Sequence, residues 1–435
     1  MIEQRVLMGG HYAAEVEPPQ IYRRRRELVR AELCAGGVAV LLGAGDARGY
    51  GDVGSFRQDP TFFYLTGVEL PNAVLVLRTD RETLLLPGRR PNLEAWTGPK
   101  FGPGEETAAT LGFDEVLDRD ATEIVVDARR RPQPSWLERV ADWLGEGGTL
   151  WLALPGFAAG GSLDEPQRLA ATLRERLPGF ALRDLTPVLT RMRLVKEAGE
   201  VALLKKAAAA TAAGIRAAAS RVGPGVLEAE VEGAVFAALR AQGAEGWSFP
   251  PIVGSGAAGC VLHYDANRGR LADGELVVVD IGARYGYYCG DLTRTFPVSG
   301  RFTKRQRALY EAVLGAYDAA VAALRPGALI ADVRKAAFAS LGASGLEGDG
   351  GAGLGQFFIH GLGHFLGLET HDVGGEGPAL APGMVLTVEP GVYLPGEGVG
   401  IRVEDDWLIT EAGAECLWPE LPRDAAAIEA MVRHG

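Results

Sequence analysis

The chain has no run of about 18 uninterrupted apolar residues, so a membrane-spanning helix is not expected. Its opening, MIEQRVLMGGHYAAEVEPPQ, has no basic start leading into an apolar stretch, and a secretory signal is not expected either. Cysteine is scarce: Cys34, Cys260, Cys289 and Cys416 stand far apart and match no zinc or redox spacing. They read as reduced thiols of a cytoplasmic protein. Positive charge is in deficit, with 44 Lys and Arg against 56 Asp and Glu and a net charge of −12. That balance argues against a large nucleic-acid interface. The one basic run, Arg23 to Arg26 in IYRRRRELVRAEL, is expected on a solvated helix face opposite an apolar stripe of Ile21, Leu28, Val29 and Leu33. A serine-hydrolase elbow, a P-loop and a dinucleotide fingerprint are all missing, as is any internal repeat of 20 to 50 residues. Histidine is rare too, with six in 435 residues.

What is present is the composition of a globular protein, 47% apolar and 23% charged. The length exceeds what one ordinary core supports, so two domains are expected, residues 1–185 and 186–435. The first alternates short apolar strands (VAVLLGAG, AVLVLRTD, ETLLLPG, TLWLALPG) with amphipathic helices such as SWLERVADWLGEG, the signature of an α/β unit with a hairpin turning at Thr79 to Arg81. From Lys196 the texture changes. A long Ala-rich helix ends at Gly223-Pro224-Gly225, a second ends at Gly243, and two more cover Lys304 to Leu324 and Ala331 to Leu341. Helical material followed by a carboxylate-bearing strand pair occurs twice, a weak two-fold echo.

Those strand pairs carry the chemistry. VVVDIGARYGYYCGDLTRTF supplies Asp280 and Asp291, VLTVEPGVY supplies Glu389, and GIRVEDDWLIT supplies Glu404. If Tyr285-Gly286 forms a two-residue turn, with a bulge or a longer turn as the alternative, Asp280 stands opposite Asp291; a type II′ turn at Gly396-Glu397 sets Glu389 opposite Glu404, each pair about 4.5–5.5 Å apart at Cβ. Pro390 is expected to distort its ladder locally. Three of the six histidines, His360, His364 and His371, crowd into HGLGHFLGLETHD. His360 and His364 have the i, i+4 spacing of a helical zinc site, but glycines at 361, 363 and 367 disfavour a helix. Four carboxylates and an imidazole are too many ligands for one zinc and the wrong mix for calcium. They suit two divalent cations and metal-assisted hydrolysis. His263, in VLHYD, is a further candidate for substrate or transition-state contact, and Arg402, sharing a strand face with Glu404, for clamping a carboxylate.

The order Asp, Asp, His, Glu, Glu, with HYD, DIGARYGYYCGDLTRTFPV, HGLGH, HDVG, TVEPGVY and GIRVEDD, resembles the proline-specific metallopeptidases of the pita-bread fold, the aminopeptidase P and prolidase family. FRQDPTFFYLTGVELPNAVLVL and LPRDAAAIEAM are similar to the start and end of bacterial members. The resemblance implies an α/β (α+β) protein: a C-terminal pita-bread domain behind a creatinase-like N-terminal α/β domain with a mixed sheet, which governs access and oligomerisation. It implies that Asp280 binds one metal, that Asp291 and Glu404 bridge both, and that His364 and Glu389 bind the other, with Glu389 also the general base. His263, His360 and His371 would contact substrate or the tetrahedral intermediate, and Arg402 would support them. Manganese is the expected metal, with cobalt and zinc as alternatives. The implied reaction is hydrolysis of an N-terminal Xaa-Pro bond by a metal-bridging hydroxide, on peptides with proline at the second position, in a cytoplasmic homodimer or homotetramer. Trp96 is the residue through which the N-terminal domain would limit peptide length. A prolidase acting on Xaa-Pro dipeptides is the alternative, and a non-catalytic peptide-binding module a third reading.

Overall fold

The computed structural model describes residues 17–45, 56–120, 123–126, 129–132, 134–154, 163–375 and 377–433. The opening segment read for a secretory signal, up to residue 16, lies outside them, as does the end of TLWLALPG. Contacts divide the chain into two compact units that change over between Met192 and Arg193, inside the helix Thr186–Leu194.

The first unit is built on six strands: β1 (Gly37–Leu42), β2 (Val74–Arg78), β3 (Glu82–Leu86), β4 (Glu115–Asp118) and, after a separate hairpin of β5 (Glu123–Val126) and β6 (Arg129–Pro132), β7 (Thr149–Leu152) and β8 (Ala181–Asp184). Their order is β4-β3-β2-β1-β7-β8. The β1–β2 and β2–β3 pairs are antiparallel while β3–β4, β1–β7 and β7–β8 are parallel, so the sheet is mixed. Alternate residues Val38 and Val40, Val74 and Val76, Leu150 and Leu152 bury one face under Val140 and Leu144 of the helix Trp136–Leu144 and Leu169 and Leu173 of the helix Glu165–Arg176. The first of these helices starts at a capping box, Ser135 with Glu138.

The arginine run departs from expectation. Arg25 and Arg26 point into the unit, and the buried face of the helix Pro19–Glu32 is Tyr22, Arg25, Arg26 and Val29, while Leu28 is exposed. Arg26 donates Nε and Nη2 to the buried Glu82 at 2.7 and 3.1 Å and caps the carbonyls of Leu65 and Gly112. Arg25 pairs with Glu17 at 2.7 Å. Partner acids make this burial possible; Glu82 stands 56 residues from Arg26, where a window of local sequence cannot reveal it.

The second unit repeats one plan. The helices Ala198–Arg221 and Glu228–Ala241 pack together, then come β9 (Gly246–Trp247), β10 (Ile252–Ser255), β11 (Leu276–Ile281), β12 (Ala283–Tyr285), β13 (Tyr288–Cys289) and β14 (Leu292–Pro297). The helices Lys304–Ala323 and Ile330–Ala343 form a second pair, followed by β15 (Val385–Val388), β16 (Gly391–Leu394), β17 (Val399–Arg402), β18 (Asp405–Thr410) and β19 (Gly413–Cys416). This is the pita-bread arrangement. Gly214 lets the first helix approach closely, since a Cβ there would meet Ile281, Leu239 and Val235 at 2.8–3.0 Å. One apolar core, from Ile215 through Val279 and Phe296 to Ile401, runs under both strand sets and fixes the strands that carry the acids.

A candidate dimetal centre

The two hairpins meet at an isolated bridge between Thr293 and Glu404. In the first, Asp280 lies opposite Thr293, not Asp291. The turn residues are Gly286 and Tyr287, both with positive φ (56° and 73°), and Arg284 faces Cys289. This is the backbone of a type I′ turn, whose twist suits a hairpin, and it shifts the register by two residues from a turn at Tyr285-Gly286. Asp291 sits two residues before Thr293, so the aspartates are diagonal neighbours on one face.

In the second hairpin Val388 lies opposite Asp405 and Gly391 opposite Arg402, the register expected from a turn centred on Gly396-Glu397. The positive φ falls on Gly398 (63°) and not on Gly396, so the turn is not type II′. The ladder is interrupted at Pro390, which has no N–H to give; its carbonyl still accepts from Val403 N.

His364 comes from an extended segment laid along β15. Its N–H donates to Thr387 Oγ1 and its carbonyl accepts from Thr387 N. A Cβ on Gly363 would lie 2.1 Å from the Thr387 carbonyl, so glycine is required for that approach. His364 Nδ1 faces the Phe365 carbonyl at 3.2 Å, which only an N–H can do. Nε2 is left as a lone-pair donor, 3.5 Å from Asp291 Oδ2 and 3.7 Å from Glu389 Oε1. Ligand atoms of Asp291, His364 and Glu404 all lie within 4.8 Å of one another. Asp280, an electrostatic neighbour of all three, receives Arg402 Nη2 on Oδ2 at 2.5 Å.

The electrostatics are those of a site short of positive charge. Burial, then Glu404 and Asp280, pushes the Asp291 carboxyl well above its usual range. Burial, then Glu389 and Asp280, does the same to Glu404. Burial lifts Glu389 to about 8 against the pull of Arg402. Arg402 is itself buried. Among the described residues, Asp280 Oδ1 and Asp291 Oδ1 are buried with no hydrogen-bond partner. Orphaned carboxylate oxygens that converge with an imidazole fit hard divalent cations and are otherwise costly.

The remaining histidines ring this centre. His360 Nδ1 donates to the Gly361 carbonyl at 2.7 Å, so its Nε2, 2.9 Å away, accepts from the Tyr393 hydroxyl. Nδ1 also lies 3.9 Å from Glu389 Oε2. The His371 ring centroid is 4.2 Å from that of His364. Burial holds His360 and His364 down to about 4, Arg402 adding to the effect at His360 and His371 at His364. Burial, then His263, lowers His371. His263 is exposed, on the turn after Cys260, and its charge is felt at both His360 and His371. The residues of the second unit singled out from the sequence thus lie around one centre, although Asp280 and Asp291 are diagonal and not facing.

Sequence reasoning missed three contributors. Thr293 donates to Glu404 Oε2 at 2.6 Å and receives Arg402 Nε. Tyr393 accepts from Arg402 Nη1 at 2.8 Å. Asp406 accepts the Asp291 N–H at 3.2 Å. Thr293 and Asp406 stand two residues beyond Asp291 and Glu404, so the period-two rule that grouped Arg402 with Glu404 could have found them.

Two family models match in succession: aminopeptidase P, N-terminal domain, over residues 22–133 and metallopeptidase family M24 over residues 202–411. The chain is similar to the Xaa-Pro aminopeptidase of Escherichia coli strain K12, 34% identical across 95% of this chain and 97% of that one. Among solved structures it is similar to proline aminopeptidase P II from Yersinia pestis, with a TM-score of 0.84 at 32% identity over 96% of this chain and all of the other. It is also similar to zinc-substituted Escherichia coli aminopeptidase P with bound product, with a TM-score of 0.85 at 31% identity over 97% and 99% of the two chains. Similarity that spans both units and nearly the full length of each relative settles the kinship: the chain belongs to the aminopeptidase P family of M24 metallopeptidases.

Proposed function

We propose that this enzyme removes the N-terminal residue from peptides whose second residue is proline. The observation that carries the reading is the convergence of Asp291, His364 and Glu404 within 4.8 Å beside buried carboxylate oxygens that no donor among the described residues satisfies. Asp280, Asp291, His364, Glu389 and Glu404 would hold two divalent cations, manganese first, with cobalt or zinc able to substitute. When bound, such ions lower the pKa of a water towards neutrality and polarise the scissile carbonyl.

The protein's own groups supply the rest. Glu389 is placed to take the proton of the attacking water as general base. His371 and His263, both exposed, are donors for the oxyanion as charge develops there. His360 is fixed as one tautomer by Gly361 and Tyr393, so it meets substrate in a set orientation. Arg402 and Thr293 hold Asp280 and Glu404 in place. A tertiary Xaa-Pro amide has no N–H, so recognition rests on ring shape and on the free N-terminal amine, for which this acidic site is suited.

Further parts of the reading concern the whole protein. The free thiols support a cytoplasmic location, and no described helix is long and apolar enough to cross a membrane. The first unit, residues 1–185 in the sequence division, would restrict access and mediate a homodimer or homotetramer. Trp96, 88% exposed on the helix Pro91–Thr97, suits a contact with peptide or partner. The test is turnover of matched Xaa-Pro and Xaa-Pro-Yaa peptides. Release of Xaa from the tripeptide is expected; cleavage of the dipeptide alone would make the enzyme a prolidase, and cleavage of neither a binding module.

A further inference from the structure

His371 is exposed, and among the described residues its imidazole makes a ring contact with His364 but no hydrogen bond. Its place is therefore set by its backbone, in the irregular loop that runs from Gly367 to His371. The next residue is anchored unusually firmly. The Asp372 side chain is 2% exposed and receives Arg193 Nη2 at 2.5 Å on Oδ1 and Lys196 Nζ at 3.0 Å on Oδ2. Those cations are 4% and 1% exposed, and Arg193 also reaches Glu369 at 2.8 Å. The loop closes over this carboxylate. Asp372 N donates to the Phe365 carbonyl, next to His364, and Gly367 N to that of Glu369. A Cβ on Gly367 would lie 2.1 Å from Asp372 Oδ2, so the fold of the loop needs glycine there.

We propose that Asp372, clamped between Arg193 and Lys196 beneath Gly367, is the positioning residue for His371, fixing its imidazole beside His364 and over the reacting carbonyl. Burying three charges is expensive unless geometry repays it, and two cations on one carboxylate define its position better than one. Both ends of the loop are tied, at Phe365 beside the ligand His364 and at Asp372 beside His371. The clamp thus sets the spacing between a metal-binding and an oxyanion-binding imidazole. An anchor that merely attached residues 193–196 to the unit would not need a loop glycine shaped to its carboxylate. The inference rests on the role assigned to His371 above.

A double-mutant cycle tests it on the metal-loaded, full-length enzyme with an Xaa-Pro-Yaa peptide. His371→Ala is expected to lower kcat about 100-fold, the loss typical of one oxyanion donor. Asp372→Asn is expected to lower kcat about tenfold with KM and bound metal unchanged, and Gly367→Ala, which displaces the same carboxylate, to match it. In the His371→Ala background either change should alter kcat by less than about twofold, because the group they position is gone. If Asp372→Asn does not fold, Gly367→Ala and Lys196→Met carry the test, and Lys196→Arg should restore most of the lost kcat. Losses that multiply with that of His371→Ala, or a lowered Tm with kcat intact, would overturn the proposal. If His371→Ala alone left kcat unchanged, the role assigned to His371 would fall and this inference with it, while the Xaa-Pro reading would stand on the peptide assay.

Discussion

In the first unit Arg26 and Glu82 are both fully buried, and each satisfies the other through two hydrogen bonds. In the second, Asp280, Asp291 and Glu404 are buried together with Glu389 beside them, and Arg402 is the cation in their midst. Both arrangements bury charge, but the first closes its own account and the second does not. A folded protein keeps like charges together in its interior when something outside the chain completes them. That contrast, more than any count of acids, separates a structural ion pair from a site built for cations.

The comparison can be broken at several points. Removing a ligand should matter most: Asp291→Ala or Glu404→Ala is expected to cost at least about 10⁴-fold in kcat/KM, roughly 5 kcal/mol of transition-state stabilisation. Steady-state assays at saturating metal measure it, and near-normal turnover would show that the cluster is not the catalytic centre. At the closed pair, Arg26→Met leaves Glu82 uncompensated and should cost about 3–5 kcal/mol of stability in urea unfolding, whereas the double change with Glu82→Leu should be close to neutral. If the single change were harmless, the pair would not be the self-satisfied unit described.

A smaller effect appears on titrating the metal-free protein. Burial raises Glu389 to about 8, so between the unfolded carboxyl value and that pH the folded state holds the extra proton and stability falls as pH rises. His360 and His364, lowered to about 4, work the other way, but only below the unfolded histidine value near 6.5. From pH 6.5 to 8 the acids stand alone, and Glu389 should cost the EDTA-treated enzyme about 2 kcal/mol. Thermal unfolding should show that decline without metal and lose it when manganese is restored. A flat profile in EDTA would mean that burial does not hold the Glu389 carboxyl protonated. The smallest effect belongs to Trp96→Ala, expected to shift the preference between Xaa-Pro-Yaa and longer peptides by about tenfold or less, about 1 kcal/mol, with Tm unchanged. An unaltered preference would remove Trp96 from any role in access.

Much of this was readable before any coordinates. Strands rich in Val and Leu with Gly and Asp at their ends gave the β2–β3 hairpin, and the glutamate hairpin carried the register expected of a turn at Gly396-Glu397. The aspartate hairpin did not: the turn closes on Gly286 and Tyr287, and since a turn at Tyr285-Gly286 would also ask a tyrosine for an unfavourable φ, residue preference does not separate the two registers. Arg26 departs from the helical reading because its partner, Glu82, is brought in by tertiary packing from far along the chain, which no helical period encodes. The clamp on Asp372 was invisible for the same reason: Arg193 and Lys196 stand far ahead of it in the chain. Ligand types follow from residue chemistry, whereas what holds them still depends on contacts between distant segments.

The central claim is that the five ligands hold two cations on which hydrolysis depends. The most direct measurement is metal content and Xaa-Pro-Yaa turnover on one preparation, after dialysis against EDTA and again during stepwise return of manganese. The account predicts no turnover without metal, recovery in step with binding, and two ions per chain at full activity. Turnover that survives complete removal of metal would contradict it.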